Sequence, residues 1–402
     1  MFELTPRLVF AIIFVTGLAA LMYWDRKNVE RQFILFYRRT DKGLEFIDRV
    51  ANRFPRFWKV YGAAGVVVGL LSLVLITGLT GYIFMDMFTN QAIDDGFAVV
   101  LPGLETPETG TGMSEPTSGA IFVPIEYWVI AIGLLMFVHE MSHAVVARTE
   151  GFEINSVGWI VLGILPGAFV EPKGENMLPG GEAQDTESHT IWQGGDWKSR
   201  LKVLCAGSWA NYLTAGILLV ALMGVTTAIS DIATEQTDFI NYEAEEAYPA
   251  YEAGMTEGEL YSINGENIST EQELRDALSI QPGEQVTLET SEGSFTLEAV
   301  EREGFEGGYI GIRFTDTVWK ESYEPYQGAA QWFTSLLFVV AMLNLFIGIF
   351  NMLPIKPLDG GLSVEAFIVE FLGEDKVTYL NKFSLLGWVL ILGTILLSLL
   401  GV

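Results

Sequence analysis

The run Phe137-Val138-His139-Glu140-Met141-Ser142-His143 sets two histidines four residues apart, with a glutamate beside the first. On a helix, side chains at that spacing share a face, so both imidazoles can reach one tetrahedral metal ion while Glu140 takes a proton from a water the metal polarises. The chemistry provided for is metal-assisted hydrolysis, with the carboxylate as general base and then as proton donor to a leaving amine. The bland alternative is a pair of satisfied core histidines with a glutamate partner. It fits poorly with the neighbours Leu134, Leu135, Met136, Ala144, Val145 and Val146, because ionisable groups in so apolar a run are expensive unless they have a function.

A catalytic zinc generally has three protein ligands and one open position. The candidate third donor is Asp359, in Asn351-Met352-Leu353-Pro354-Ile355-Lys356-Pro357-Leu358-Asp359-Gly360-Gly361. Two prolines break a helix there, and two glycines free the backbone to aim a carboxylate back into the molecule. Taken alone the segment also reads as an ordinary turn. The third histidine, His189, stands in a polar stretch with no partner at ligand spacing and reads as a solvated loop residue. The single cysteine, Cys205, lies in an apolar run and reads as a small buried hydrophobe, and no intramolecular disulfide is possible.

The elements that must position these groups are membrane helices. Half of the 402 residues are apolar and the mean hydropathy is positive, a balance ordinary soluble chains of this length rarely reach. Six apolar stretches, at about 8–24, 61–85, 126–147, 201–229, 331–353 and 384–401, come near the length of ~20 residues that a bilayer core demands. Residues 25–59 carry ten Lys or Arg, which places this loop in the cytoplasm and both chain termini outside. Residues 86–125 have no Lys or Arg and are acidic and rich in Gly and Pro, as an external loop would be. Residues 152–172 are apolar but rich in Gly, Pro and β-branched types, with cytoplasmic charge on both sides. They are expected to form a re-entrant hairpin or short sheet.

Fifty acidic residues oppose twenty-three basic ones, for a net charge of −27. That balance excludes nucleic acid as a partner. The excess concentrates between Asp231 and Glu324, where twenty-three acidic residues face four basic ones, a surface suited to strong salt screening and to a halophilic source. The same segment reads as a small extracytoplasmic α/β domain. It has an Asn264-Gly265 hairpin signal, a helix capped by Ser269 or Thr270 with Glu273, and strands at QVTLET, SFTLEAV and YIGIRF. That order resembles a PDZ domain over about 243–315.

Together the His-Glu-x-x-His helix and the Asn351–Gly361 segment resemble the site-2 proteases, intramembrane zinc metalloproteases that cleave membrane-spanning substrates. The resemblance covers roughly 126–375. It implies one catalytic zinc held by His139, His143 and Asp359, with Glu140 as the base. A third family motif, A-G-P-x-x-N, is met by Ala206-Gly207-Ser208-Trp209-Ala210-Asn211 with serine in place of proline. Asn351 and Asn211 are thereby implied to hold substrate. The implied division is accessory helices and loops in 1–125, a catalytic core in 126–230 and 329–402, and the PDZ-like domain in 231–328. The implied partners are the lipid bilayer and single-span membrane proteins, already cut externally, processed by regulated intramembrane proteolysis. Two rivals stand beside this reading. A metalloprotease with its motif on a cytoplasmic soluble domain needs a downstream glutamate ligand. A non-catalytic membrane receptor or scaffold has no use for Glu140.

Overall fold

The computed structural model describes residues 5–32, 35–90, 97–104, 111–114, 119–162, 165–173, 192, 195–234, 239–268, 273–274, 277–302, 307–314 and 319–399. The chain divides into two compact units, Met1–Leu222 with Phe333–Val402, and Met223–Trp332. The first unit begins with helix α1 (Pro6–Trp24), strands β1 (Glu30–Gln32) and β2 (Leu35–Thr40), and helices α2 (Leu44–Arg53) and α3 (Pro55–Asn90). Strands β3 (Val99–Gly103) and β4 (Ala120–Pro124) form a parallel pair ahead of α4 (Ile125–Thr149). Strands β5 (Ile154–Leu162) and β6 (Leu165–Pro172) lead to α5 (Trp197–Ala233), which runs on into the second unit.

Among the described residues six helices are long and apolar enough to cross a membrane, at the places the hydropathy pattern indicates. They are α1, α3, α4, α5, α7 (Gln327–Asn351) and α9 (Val377–Leu399), and they fit a polytopic helical membrane protein. Several run past the expected spans. At 1.5 Å per residue the 37-residue α5 is roughly 55 Å long, well beyond a hydrocarbon core of about 30 Å. The fifth span stops at Asn351 rather than 353, because a residue preceding Pro354 is disfavoured in the helical region.

Residues 152–172 do form an antiparallel hairpin, with Leu162 paired to Leu165. Strand β2 adds to its other side, giving a four-stranded sheet in the order β1-β2-β5-β6. The basic loop between the first two spans, for which no strand is expected, therefore contributes half of this sheet. Apolar packing fixes the sheet on α4. Val157 and Val170 join Ile47 and Ala51 of α2 against Ala144 and Val145.

The second unit carries helix α6 (Pro249–Glu252) and strands β7 (Ile240–Ala244), β8 (Glu257–Ile263), β9 (Glu266–Asn267), β10 (Gln285–Thr290), β11 (Gly293–Glu298) and β12 (Ile312–Phe314). They pair in the order β11-β10-β8-β7-β12, with β9 on β8. Asn264 and Gly265 have φ of 51° and 83°, the left-handed pair that a two-residue type I′ hairpin requires. Met255, Leu260, Ile263, Val286 and Leu288 are fully buried in its core. The cap expected at Ser269 or Thr270 lies outside the described residues, as does His189.

Candidate metal centre

Helix α4 ends in a left-handed glycine cap. Gly151 has φ 91°, and the Phe152 N–H donates to the Ala147 carbonyl, a closure that satisfies the final orphan carbonyls. Closer to the middle of this helix, His139 and His143 face the same way, with Nε2 atoms 3.0 Å apart. Helix α8 (Asp359–Leu372) starts at the third expected donor. Its glycines are helical rather than left-handed, and they serve close approach. A Cβ on Gly360 would lie 2.1 Å from the Met352 carbonyl oxygen. This contact draws Asp359 inward until Oδ2 sits 3.3 Å from His139 Nε2 and 3.4 Å from His143 Nε2.

The remaining hydrogen bonds settle which ring nitrogens face the centre. His143 Nδ1 donates to the Val203 carbonyl at 2.7 Å, which leaves Nε2 with its lone pair inward. His139 Nδ1 lies 3.2 Å from the Asn211 amide, and Asn211 Oδ1 is a buried atom with no partner. The oxygen and nitrogen of a side-chain amide are told apart by their hydrogen-bond partners. Turning this amide over lets Oδ1 accept from Nδ1–H. His139 Nε2 then also presents a lone pair. Two lone pairs and a carboxylate oxygen directed at one point make a donor set for a cation, and the Asn351 amide lies against two of the same atoms. The separations fit: bonds of about 2.0–2.1 Å in a tetrahedral zinc site put ligand atoms about 3.3 Å apart. Among the described residues His139, His143 and Asp359 are the group that could hold a metal ion, all three ligand atoms lying within 4.8 Å of one another.

Glu140 stands beside this cluster, its Oε2 accepting the Val170 N–H of β6 at 3.1 Å. Asn351 donates through Nδ2 to Asp359 Oδ2 at 2.9 Å and lies 3.0 Å from His139 Nε2. The six expected site residues thus come together, but not all in the same position. A cavity of about 200 Å³ is lined by Glu140, Val170, Trp192, Leu204, Asn351 and Asp359, among others. Asn211 is fully buried behind His139, outside that lining.

Sequence reasoning misses Gly207. A Cβ there would sit 2.4 Å from His143 Nε2 and 2.6 Å from His139 Nε2, so only glycine lets α5 approach both imidazoles. The signal is present in the Ala206–Asn211 run, where residue types alone indicate a helix pattern rather than a contact. Helix α5 continues unbroken through Ser208. Also unforeseen are the Val203 carbonyl and the Ser142 hydroxyl, which donates to the Ala206 carbonyl at 2.8 Å and pairs with the Tyr61 hydroxyl at 3.0 Å. Backbone acceptors leave no trace in residue types.

Residues 127–392, more than half of the chain, match peptidase family M50. The chain belongs to peptidase family M50. A membrane-bound transcription factor site-2 protease homolog of Arabidopsis thaliana is 24% identical over 186 residues, 46% of this chain and 31% of the relative. A candidate zinc metalloprotease of Clostridium perfringens is 23% identical over 337 residues, covering 68% of this chain and 96% of that one. An uncharacterised protein of Methanocaldococcus jannaschii is 26% identical over 288 residues, 67% of this chain and 69% of its own length. The chain spans only about a third of the Arabidopsis relative. M50 membership agrees with a multi-pass membrane metalloprotease, and the His139–His143–Asp359 group with one zinc.

Proposed function

We propose that this M50 chain is an intramembrane zinc endopeptidase that cleaves membrane-spanning proteins. The supporting observation is the convergence of two imidazoles from α4 and a carboxylate from α8, 216 and 220 positions apart in sequence, with Glu140 alongside. His139, His143 and Asp359 would hold the ion. Zinc, when bound, supplies Lewis acidity that polarises a peptide carbonyl and acidifies a water. Glu140 is the general base: Val170 N–H holds Oε2, so the carboxylate is oriented before it takes a proton, which it then delivers to the leaving amine. Asn211 orients the His139 ring, as hydrogen bonds behind a metal ligand do. Asn351 stands in the cavity, where its amide can hold the substrate backbone.

A spanning substrate helix hides its amides in internal hydrogen bonds, so it must open locally before attack. Strand β6 is an edge of its sheet and offers the opened segment a partner by strand addition. Val170 N–H points out from that edge, and Ala168, two residues along, shares its direction. The basic segment 25–59 is assigned to the cytoplasm and the acidic segment 231–328 to the outside. The latter acts as a PDZ-like module that receives a carboxyl terminus left by an earlier external cut, or excludes bulky ectodomains. Regulated intramembrane proteolysis is the process this implies. Metal analysis of the purified chain, with cleavage of a tagged single-span substrate by the wild type and by Glu140→Gln, tests the proposal. Zinc in both with cleavage in the wild type alone supports it; equal cleavage by both removes the assigned base.

A further inference from the structure

We propose that Arg39 is a positioning residue for Glu140, acting through Glu171 and the edge strand β6. This rests on the proteolytic reading above. Pairing sets Arg39 opposite Gly158, Gly158 opposite Phe169, and Ser156 opposite Glu171. Strand alternation therefore puts Arg39, Ser156, Phe169 and Glu171 on one face of the sheet. Gly158 is the bare position in the middle of this face. A Cβ there would lie 2.5 Å from the Phe169 ring and 2.1 Å from the Arg38 carbonyl oxygen. With no side chain on β5 at that point, the Phe169 ring lies over Gly158, and beside it the guanidinium of Arg39 on β2 bonds Glu171 on β6.

Glu171 is 2% exposed. Its carboxylate accepts from Arg39 Nε at 3.1 Å, Ser156 Oγ at 2.7 Å and Asn155 Nδ2 at 3.4 Å. Arg39 Nη1 is itself held by both oxygens of Glu30, at 3.0 and 3.1 Å, and its guanidinium lies 5.0 Å from the centre of the Tyr37 ring. Arg38, on the opposite face, pairs with Asp25. The location of this network is informative. The β5–β6 register shifts between Ile154 and Ser156, so the ladder is irregular where Glu171 sits, and Pro172 has no N–H to give. Side chains replace the missing ladder at that end of β6. The preceding residue is Val170, whose N–H meets Glu140. The hairpin β1–β2 lies outside the matched family region, yet through Arg39 it fixes the height of the strand that aims the base.

Full-length protein in nanodiscs provides the test, with hydrogen exchange at the Val170 amide read on the metal-free chain. Cleavage kinetics are read on the zinc-loaded chain with a tagged peptide carrying one apolar spanning segment. For Arg39→Gln, exchange at Val170 rises about tenfold, kcat falls about tenfold and by more than KM rises, and zinc content is unchanged. Arg39→Lys, which keeps the charge, recovers kcat to within about threefold. A buried carboxylate stripped of its partner can prevent folding. If Arg39→Gln does not fold, Arg39→Met combined with Glu171→Gln removes both charges and is read in its place. Unmoved Val170 exchange with wild-type kcat in the folded variant overturns the proposal, as does a fall in kcat matched by lost zinc. Wild-type protein that cuts nothing while Val170 exchange responds as expected would count against the proteolytic reading and not against the tie between Arg39 and β6.

Discussion

The second unit and the metal centre are built on opposite plans. The buried core of the second unit is mostly apolar, from Tyr242 to Ile312, with Ser262 and Thr290 its buried polar residues among those described, and its strands pair mostly with close sequence neighbours, β8 with β9 and β10 with β11. Its charge lies outside. The metal centre buries His139, Asn211 and Asp359 within a helical bundle, and its partners come from α4, α5, α7 and α8. Polar groups at such depth persist only where each meets another. The comparison teaches that one unit should tolerate changes by degree, while the other should respond to single atoms.

The sharpest way to break that contrast is Gly207→Ala, one methyl group aimed at both imidazoles. Zinc content of the purified chain should fall to near zero and cleavage with it; retained zinc would mean that α5 can withdraw. Glu140→Gln comes next. It should keep zinc and lose about 10²–10⁴-fold in kcat, as removal of a general base does. In the second unit, Leu288→Ala empties part of the fully buried cluster and should cost about 2–5 kcal/mol of stability. Calorimetry should show that loss, with zinc content unaltered; loss of zinc as well would show that the two plans are coupled. Asn211→Ala leaves His139 Nδ1 unpartnered and should weaken zinc affinity about 10–100-fold in competition with a chelator.

The smallest effect concerns pH. Burial, then the neighbouring Glu245 carboxylate, pushes the Tyr309 hydroxyl up to about 12. Its folded value is raised above that of the unfolded chain, near 10, so the neutral form is the one the fold favours. The contribution is complete below pH about 10 and is lost as pH rises through about 12. Tyrosine absorbance during alkaline titration of the full chain should show a late ionisation, which Tyr309→Phe diminishes.

Much of the architecture is legible in the residues themselves. Length and apolarity reveal the six helices, and the glycine, proline and β-branched content of 152–172 reveals the hairpin. The four-residue spacing of His139 and His143 reveals two members of the group that could hold a metal ion, because helical periodicity converts spacing into geometry. Strands β1 and β2 escape notice because Arg38 and Arg39 dominate the composition there, and β5, the strand on which β2 docks, lies some 120 residues downstream. Asn211 is expected to hold substrate and lies fully buried beside His139 Nδ1, a placement that residue type does not reveal. Gly207 escapes for the opposite reason: a missing side chain announces itself only when something stands where the Cβ would be.

The metal centre depends on three donors meeting on one ion. The most direct measurement is zinc stoichiometry and zinc-edge X-ray absorption on the wild type and on Asp359→Ala, both in nanodiscs. The wild type should carry about one zinc in a shell of two imidazole nitrogens, a carboxylate oxygen and one exchangeable light atom. Asp359→Ala should lose the carboxylate from that shell and most of the metal. An unchanged shell and full zinc in Asp359→Ala would contradict the assignment of the third ligand, and with it the centre described above.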